Sequence, residues 1–299
     1  MKERIVSFVH YQREQGKKSQ NTLDAYRRDL NSFAKFMETK GKLKVEEVTA
    51  TDVISYVMKL KEDGKVSNTV NRHGATLRNF FTFMVDSKII DENPAKDLKG
   101  TATEKKELVF LTIEEATKLI EAASNDDPSS LRDRAILEVL YGTGVRVSEL
   151  LEFTLADLNL SMGILHCNGN HGKERIVPLG SYCKEALMKY MDYGRPHFIE
   201  GKAATDTNSP LFPNRSGVAF TRQGIWNIVA GYGNKVGIKD KATPQILRTS
   251  FAVHMIQNGA DLKTLQELLG HDDMQSMEIY MELIKNRIKD VYNRTHPRA

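Results

Sequence analysis

The sequence has few of the residues that build disulfide-rich, metal-binding or membrane proteins. Only two cysteines, Cys167 and Cys183, occur in 299 residues, and neither has metal-ligand spacing, so we expect both to be reduced and structural. No apolar run approaches the ~20 residues that span a bilayer. The first residues lack the apolar core of a signal peptide, so we expect a cytoplasmic protein. No zinc motif, P-loop or nucleotide fingerprint is present, which argues against nuclease and ATPase functions.

The net charge is small, but its distribution is uneven. The formal charge is +4 for the whole chain, while residues 1–107 carry 21 lysine and arginine residues against 16 aspartate and glutamate residues. A basic surplus on one segment is expected of a surface that lies on phosphates. Ordinary solvated helix faces explain so small a surplus equally well, so charge supports DNA binding without establishing it.

The first hundred residues predict a group of helices. Apolar residues recur at helical spacing in three segments that begin near Asn21, Thr51 and Ser67. Asn93-Pro94 then ends regular structure, because the residue before a proline is disfavoured in a helix. A polar, charged stretch follows, and we interpret residues 101–107 as a linker between two domains.

The remainder predicts an α-rich domain with one small sheet. Thr112 followed three residues later by Glu115 is a capping box, which marks a helix start. Two short β-type runs, residues 163–167 and 173–179, flank a turn rich in glycine and asparagine, the pattern of a β-hairpin. The predicted fold class is therefore mainly α with a small β-sheet.

Four residues of the second domain form a chemically specific series. Arg146 lies in Tyr-Gly-Thr-Gly-Val-Arg, and Arg248, His271 and Tyr280 follow one another at intervals of 23 and 9 residues. Two guanidiniums, an imidazole and a phenol can hold a phosphodiester and attack it with a side-chain oxygen. A tyrosine between apolar neighbours is by itself typical of a core residue, and the preceding Gly-His and arginine change that interpretation.

The order and spacing of these residues resemble the tyrosine recombinases (the phage integrase family), most closely the Xer-type members. The resemblance covers nearly the whole chain. It implies a helical, SAM-like core-binding domain over residues 1–100 and an integrase-type catalytic domain over residues 108–299. It also implies a site-specific recombinase that closes on duplex DNA and needs no metal or other cofactor. Four protomers would form a tetrameric synapse, and a second recombinase or accessory protein is a further possible partner.

The resemblance also implies a role for each of the four residues. Tyr280 would attack the scissile phosphate and form a 3′-phosphotyrosyl link. Arg146 and Arg248 would hold the non-bridging oxygens, and His271 would hydrogen-bond the same phosphate. A helix-surface ion pair with Glu149 is the alternative role for Arg146. Tyr280 would follow Gly270 and His271 by about two and a half turns of helix.

Two positions depart from the family pattern. Gln245 occupies the place, three residues before Arg248, where the family usually has histidine, and a glutamine side chain cannot transfer a proton in this pH range. In the hairpin turn, Asn170 falls where Xer-type sequences have the lysine that acts as general acid. Lys173 is our candidate for that role, with His171 as an alternative. These changes could lower activity, since a general acid–base group is worth ~10²–10⁴-fold in rate.

Several polar side chains are candidates for DNA contacts. In the third helical segment, polar and basic residues can reach base edges and phosphates. In the second domain, two arginines lie in a segment that contacts the DNA backbone in relatives. These candidates are Asn68, Asn71, Arg72, Arg78, Arg215 and Arg222.

Two other functions remain open at this point. One is a catalytically weak or inactive DNA-binding relative that bridges sites without exchanging strands. The other is an enzyme limited to nicking and resealing, similar to a type IB topoisomerase. The three functions differ in their products, which are recombinants, bare complexes and relaxed circles.

Overall fold

The chain folds into two compact units, Met1–Lys106 and Glu107–Ala299. The computed structural model describes residues 1–16, 18–102, 107–168, 174–200, 206–270 and 277–296. The predicted fold class is confirmed, because helices dominate both units and the described strands form one three-stranded sheet. Over these ranges no helix combines the length and the hydropathy that crossing a membrane requires.

The described residues of the first unit form four α-helices and one short 3₁₀ turn, Val45–Glu47. They are α1 (Lys2–Glu14), α2 (Gln20–Thr39), α3 (Ala50–Glu62) and α4 (Ser67–Asp86). Their apolar faces enclose an aromatic core in which Phe8, Phe33 and Phe80 are fully buried. Phe8 and Phe80 meet edge to face with ring centroids 5.5 Å apart, an arrangement that the ring quadrupole favours.

Two helix starts lie slightly earlier than predicted. Ser19 caps α2, and its hydroxyl accepts the backbone N–H of Thr22, whereas the prediction was a start near Asn21. Thr49 caps α3, where Thr51 was predicted, and exchanges hydrogen bonds with Asp52 three residues on. In both cases the capping residue has extended backbone dihedrals and a hydroxyl that satisfies a first-turn N–H group.

The described part of the second unit contains nine α-helices beside the sheet. The first five are α5 (Ile113–Glu121), α6 (Pro128–Thr143), α7 (Val147–Glu152), α8 (Ser181–Lys189) and α9 (Arg195–Ile199). The last four are α10 (Arg222–Lys235), α11 (Pro244–Gln257), α12 (Leu262–Leu269) and α13 (Glu278–Thr295). Thr112 caps α5 with the predicted capping box. α6 and α11 are buried over most of their surface, as expected of central helices.

The sheet is antiparallel, with strand order β1-β2-β3. β1 (Leu158–Asn159) was not predicted, because two residues are too few to show an alternating pattern. The predicted hairpin corresponds to β2 (Ile164–Asn168) and β3 (Glu174–Pro178), in which Leu165 pairs with Val177 and Cys167 pairs with Arg175. Leu165, Cys167 and Val177 are buried, so this face of the sheet covers the core and Arg175 lies on it.

Candidate active site

Arg146 is placed by a glycine turn between two helices. α6 ends at Thr143, and Gly144 follows with φ +62°, a left-handed conformation that favours glycine. A Cβ atom on Gly144 would collide with the ring of Phe251 on α11, so a side chain is also excluded by packing. The chain then turns into α7, with Arg146 at the N-cap position. The Gly-Thr-Gly sequence thus directs Arg146 into the site.

The Arg146 side chain has two partners. Its Nη1 donates to Oε1 of Glu149 at 3.1 Å, and its Nη2 donates to the carbonyl oxygen of Gly270 at 3.0 Å. The ion pair with Glu149, which the sequence offered as an alternative role, therefore exists. It does not remove Arg146 from the site, because the same guanidinium also reaches the residue before His271.

Arg248 lies on α11 and is 5% exposed. Its Nη1 donates to the carbonyl oxygen of Gly144, and its Nη2 donates to that of Leu269 at 2.8 Å. Burial, aided by the positive charge of Arg146, lowers the pKa of Arg248 to about 10. The guanidinium nevertheless remains charged at neutral pH. The two predicted arginines therefore converge on neighbouring carbonyls.

Tyr280 joins this group from α13. It is 6% exposed and packs in an apolar cluster with Phe251 and Leu269. Burial raises the pKa of its hydroxyl, while the positive charge of Arg248 and a hydrogen bond with the Thr249 side chain oppose that rise. The phenol is therefore protonated at neutral pH, and the positive charge of Arg248 favours its ionised form, the direction in which a tyrosine nucleophile is activated.

Gly270 ends α12. The helix stops at Leu269, and Gly270 adopts φ +61° and ψ +51°, a left-handed cap. The predicted spacing of two and a half helical turns from Gly270 to Tyr280 passes through residues 271–276, which lie outside the described residues, so it stays a prediction. His271 lies outside the described residues, and so do three hairpin-turn residues: Asn170, His171 and Lys173.

Gln245 occupies the first turn of α11, one helical turn before Arg248, and is exposed. Residues three apart on a helix share a face, so Gln245 lies on the same side of α11 as Arg248. His254, nearer the end of α11, is buried, and its Nδ1 lies 2.9 Å from the hydroxyl of Tyr141, which fits a packing role. Cys167 and Cys183 are buried, free thiols, as predicted.

Glu149 and Arg175 are site residues for which the sequence suggested no role in catalysis. Glu149 is 5% exposed, and both of its carboxylate oxygens accept hydrogen bonds from Arg175, at 2.7 and 2.9 Å. Burial raises the pKa of Glu149, but the bonds from Arg175 and from the backbone N–H of Arg146 outweigh it, so the net pKa is lowered. A signal for Arg175 existed, because strand alternation places it on the same face as buried Val177.

Three of the predicted DNA contacts are engaged within the first unit. The Asn71 side chain exchanges two hydrogen bonds with the backbone of Thr101, at 2.7 and 2.9 Å, and Arg78 donates to the carbonyl oxygen of Leu98. Arg72 donates to both carboxylate oxygens of buried Asp29 while 45% of its side chain stays exposed. The other three, Asn68, Arg215 and Arg222, are exposed.

The described residues bring together no three histidine, cysteine, aspartate or glutamate side chains in a geometry that could hold a metal ion. The groups that converge around Arg248 are Arg146, Arg175, Glu149 and Tyr280, because each of these four acts electrostatically on the Arg248 guanidinium. Their net positive charge suits a phosphodiester.

Comparison with known proteins gives two family matches. Residues 109–287 match the phage integrase family, and residues 5–88 match the phage integrase N-terminal SAM-like domain, which confirms the predicted SAM-like fold. Tyrosine recombinase XerD of Oceanobacillus iheyensis is 38% identical over 99% of this chain and 98% of its own length.

Two solved structures are also similar. The crystal structure of XerA recombinase is 30% identical, with a TM-score of 0.55, and covers 99% of this chain and 100% of its own. XerH site-specific recombinase bound to a palindromic difH substrate has a TM-score of 0.75 at 20% identity, covering 90% of this chain and 78% of its own, and therefore supports the fold alone. The full-length identity and the integrase match agree with the convergence of Arg146, Arg248 and Tyr280, and the chain belongs to the phage integrase family of tyrosine recombinases.

Proposed function

We propose that this tyrosine recombinase cuts and rejoins duplex DNA at specific sites through a 3′-phosphotyrosyl link to Tyr280. The observation that carries this proposal is the convergence of Tyr280 from α13 with Arg248 from α11 and Arg146 from α7. These side chains come from separate elements. The positive charge of Arg248 acts on the buried Tyr280 hydroxyl, and the Arg146 and Arg248 guanidiniums bind the neighbouring carbonyls of Gly270 and Leu269. The family relationship supports the same reaction.

In the proposed reaction, the Tyr280 oxygen attacks phosphorus and releases its proton. The bond from phosphorus to the 5′ oxygen breaks, and that oxygen leaves as a hydroxyl after gaining a proton. Arg146 and Arg248 stay charged throughout and stabilise the negative charge that develops on the non-bridging oxygens. His271 adds a hydrogen bond to the same phosphate. A 5′ hydroxyl from the partner strand then attacks the phosphotyrosine and restores a phosphodiester.

This cycle conserves the energy of the phosphodiester in the tyrosyl ester, so the proposal requires neither metal nor nucleotide. We assign the general-acid role to Lys173, because Asn170 cannot supply a proton. Gln245 would donate a hydrogen bond where relatives place histidine, at some cost in rate. A substrate with a 5′-bridging phosphorothiolate tests Lys173, because its sulfur leaves without protonation. Lys173→Ala should be rescued selectively by that substrate, and an equal defect on both substrates would exclude Lys173 as the acid.

We further propose that the chain is divided into two functional domains and a linker. Residues 1–100 would form the core-binding domain, residues 101–107 the linker, and residues 108–299 the catalytic domain. Exposed Asn68, Arg215 and Arg222 are the proposed DNA contacts, while Arg72 would offer its exposed portion to a phosphate. Relatives have been solved in complex with their DNA substrates, and a lambda integrase dimer has been solved on a core site. We propose a cytoplasmic enzyme that forms a tetramer on DNA, with or without a partner recombinase.

Recombination between two copies of the protein's own site tests the proposal. The site is first selected from random DNA, and two copies are then placed on one plasmid in buffer that contains chelator and no nucleotide. Excised circles that carry a recombined site are the expected product. Relaxed plasmid without recombinants would indicate nicking and resealing, and a specific complex without any product would indicate a binding protein. Either result would contradict the proposed function.

A further inference from the structure

The end of α12 is held by three arginines from three different elements. The carbonyl oxygens of Leu268, Leu269 and Gly270 are consecutive, and each accepts one guanidinium N–H. Their donors, in the same order, are Arg175 at 2.8 Å, Arg248 at 2.8 Å and Arg146 at 3.0 Å. The last carbonyls of a helix lack partners within the helix and carry a partial negative charge. The three side chains therefore satisfy the end of α12 and are fixed by it.

Arg175 engages all three of its guanidinium nitrogens with protein groups. Its Nε donates to the Leu268 carbonyl, and its Nη1 and Nη2 donate to the two carboxylate oxygens of Glu149. Its side chain is 11% exposed. The Nη1–Nη2 pair of Arg175 is therefore occupied by Glu149 and its Nε by the Leu268 carbonyl.

Glu149 connects Arg175 to Arg146, because it binds both residues. One carboxylate oxygen accepts from the Arg146 guanidinium at 3.1 Å, and the other accepts from the Arg146 backbone N–H at 2.7 Å. Both the start of α7 and the direction of the Arg146 side chain are therefore set by a carboxylate that Arg175 orients. Two parallel N–H···O bonds fix a carboxylate in rotation as well as in position.

Gly270 provides the space for this arrangement. A Cβ atom at this residue would lie 2.7 Å from Nη1 and 3.0 Å from Cζ of Arg175. Its φ of +61° also disfavours any residue with a side chain. Arg175 in addition lies next to the hairpin turn, in the second residue pair from it and two residues after Lys173. Arg175 therefore connects β3, which follows the proposed acid Lys173, with the end of α12, which precedes His271.

We propose that Arg175 is a positioning residue for DNA cleavage, which orients Arg146 through Glu149 and anchors the end of α12 next to His271. This inference rests on the proposed function and goes beyond it by assigning a role to a residue that does not touch the DNA. A lysine at this position keeps the charge but loses the fork. Arg175→Lys therefore separates positioning from the mere presence of a positive charge.

The test uses the full-length protein on a nicked suicide substrate, from which the short cut strand diffuses away and leaves the covalent adduct. The single-turnover rate of adduct formation is measured on a normal scissile phosphate and on a methylphosphonate. The methylphosphonate lacks one charged non-bridging oxygen, so it depends less on Arg146. Arg175→Lys should slow cleavage of the phosphate by about 10²-fold, the cost of misplacing a reacting or stabilising group by about 1 Å. The defect should shrink at least severalfold on the methylphosphonate, as it should for Arg146→Ala.

The control is Arg134→Lys, the same substitution at an arginine that pairs with a buried glutamate, Glu138, on α6. It should cleave at the wild-type rate. A defect in Arg175→Lys that is equal on both substrates, or a rate within twofold of wild type, would overturn the proposal. If Arg175→Lys unfolds or loses DNA affinity, Glu149→Gln replaces it, with the same expected shrinkage. Absence of a wild-type adduct would instead refute the proposed function itself.

Discussion

Gly270→Ala provides a quantitative test of the packing at the end of α12, because the chain offers a matched control. Gly237 also has a positive φ, +77°, but a Cβ atom there would meet nothing within 4 Å. Gly237→Ala should therefore cost only the left-handed strain, about 1–2 kcal/mol. Gly270→Ala carries the same strain and also displaces Arg175. A hydrogen bond that involves a charged group is worth about 1.5–3 kcal/mol, and we count the loss of one such bond. We expect a total loss of about 3–5 kcal/mol.

Urea unfolding followed by tryptophan fluorescence measures this difference. Trp226 is the only tryptophan and lies on α10, so the signal reports on the second unit. The adduct-forming rate should also fall in Gly270→Ala and stay unchanged in Gly237→Ala. Equal destabilisation of the two variants, within about 0.5 kcal/mol, would refute the close approach of Arg175 to Gly270.

Three further predictions concern other parts of the chain. Burial raises the pKa of Asp52, but hydrogen bonds from Lys42 and Thr49 outweigh it and lower the pKa to about 2. Ionised Asp52 should therefore contribute about 2 kcal/mol to the free energy of unfolding above pH 4, and this contribution should be lost as the pH falls towards 2. Hydrogen exchange of the α3 amides should report this loss in the wild-type protein and show none in Asp52→Asn. Asn71→Ala should raise the rate of trypsin cleavage after Lys99, because the Asn71 side chain binds the backbone of Thr101, two residues further on. Asn68→Ala should leave that rate unchanged. Gln245→His should speed cleavage by about tenfold or more if proton transfer limits the rate; an unchanged rate would show that the site has adapted to glutamine.

Local patterns predicted most of the secondary structure. The hairpin and the cap at Thr112 depend on residues within a few positions of one another, so the sequence alone contains the signal. The two-residue strand β1 is too short to show an alternating pattern, and the end of α12 at Gly270 was not predicted although glycine is the usual residue of a left-handed cap. The predicted cap of α2 was two residues too late, because several adjacent polar residues can each serve as a cap.

Long-range partners were harder to predict. Arg146, Arg248 and Tyr280 were found because their order resembles a family, and their convergence agrees with that resemblance. Asn71 and Arg78 bind backbone groups 30 and 20 residues away, and the sequence pattern of a polar helix face does not indicate such partners. Their predicted contacts with DNA stay predictions. The sequence predicts Arg175 as part of the hairpin, and strand alternation indicates that it points inward, but its partners Glu149 and Leu268 are distant in sequence.

The identity of the nucleophile is the central claim, and the covalent adduct tests it most directly. Wild-type protein and Tyr280→Phe are each incubated with a nicked suicide substrate that carries the selected site, and the adduct is digested to locate the DNA-linked peptide. The account predicts an adduct through the α13 peptide that contains Tyr280, and none in Tyr280→Phe. A DNA link at another residue, an undiminished adduct in Tyr280→Phe, or tight specific binding without any adduct would contradict it.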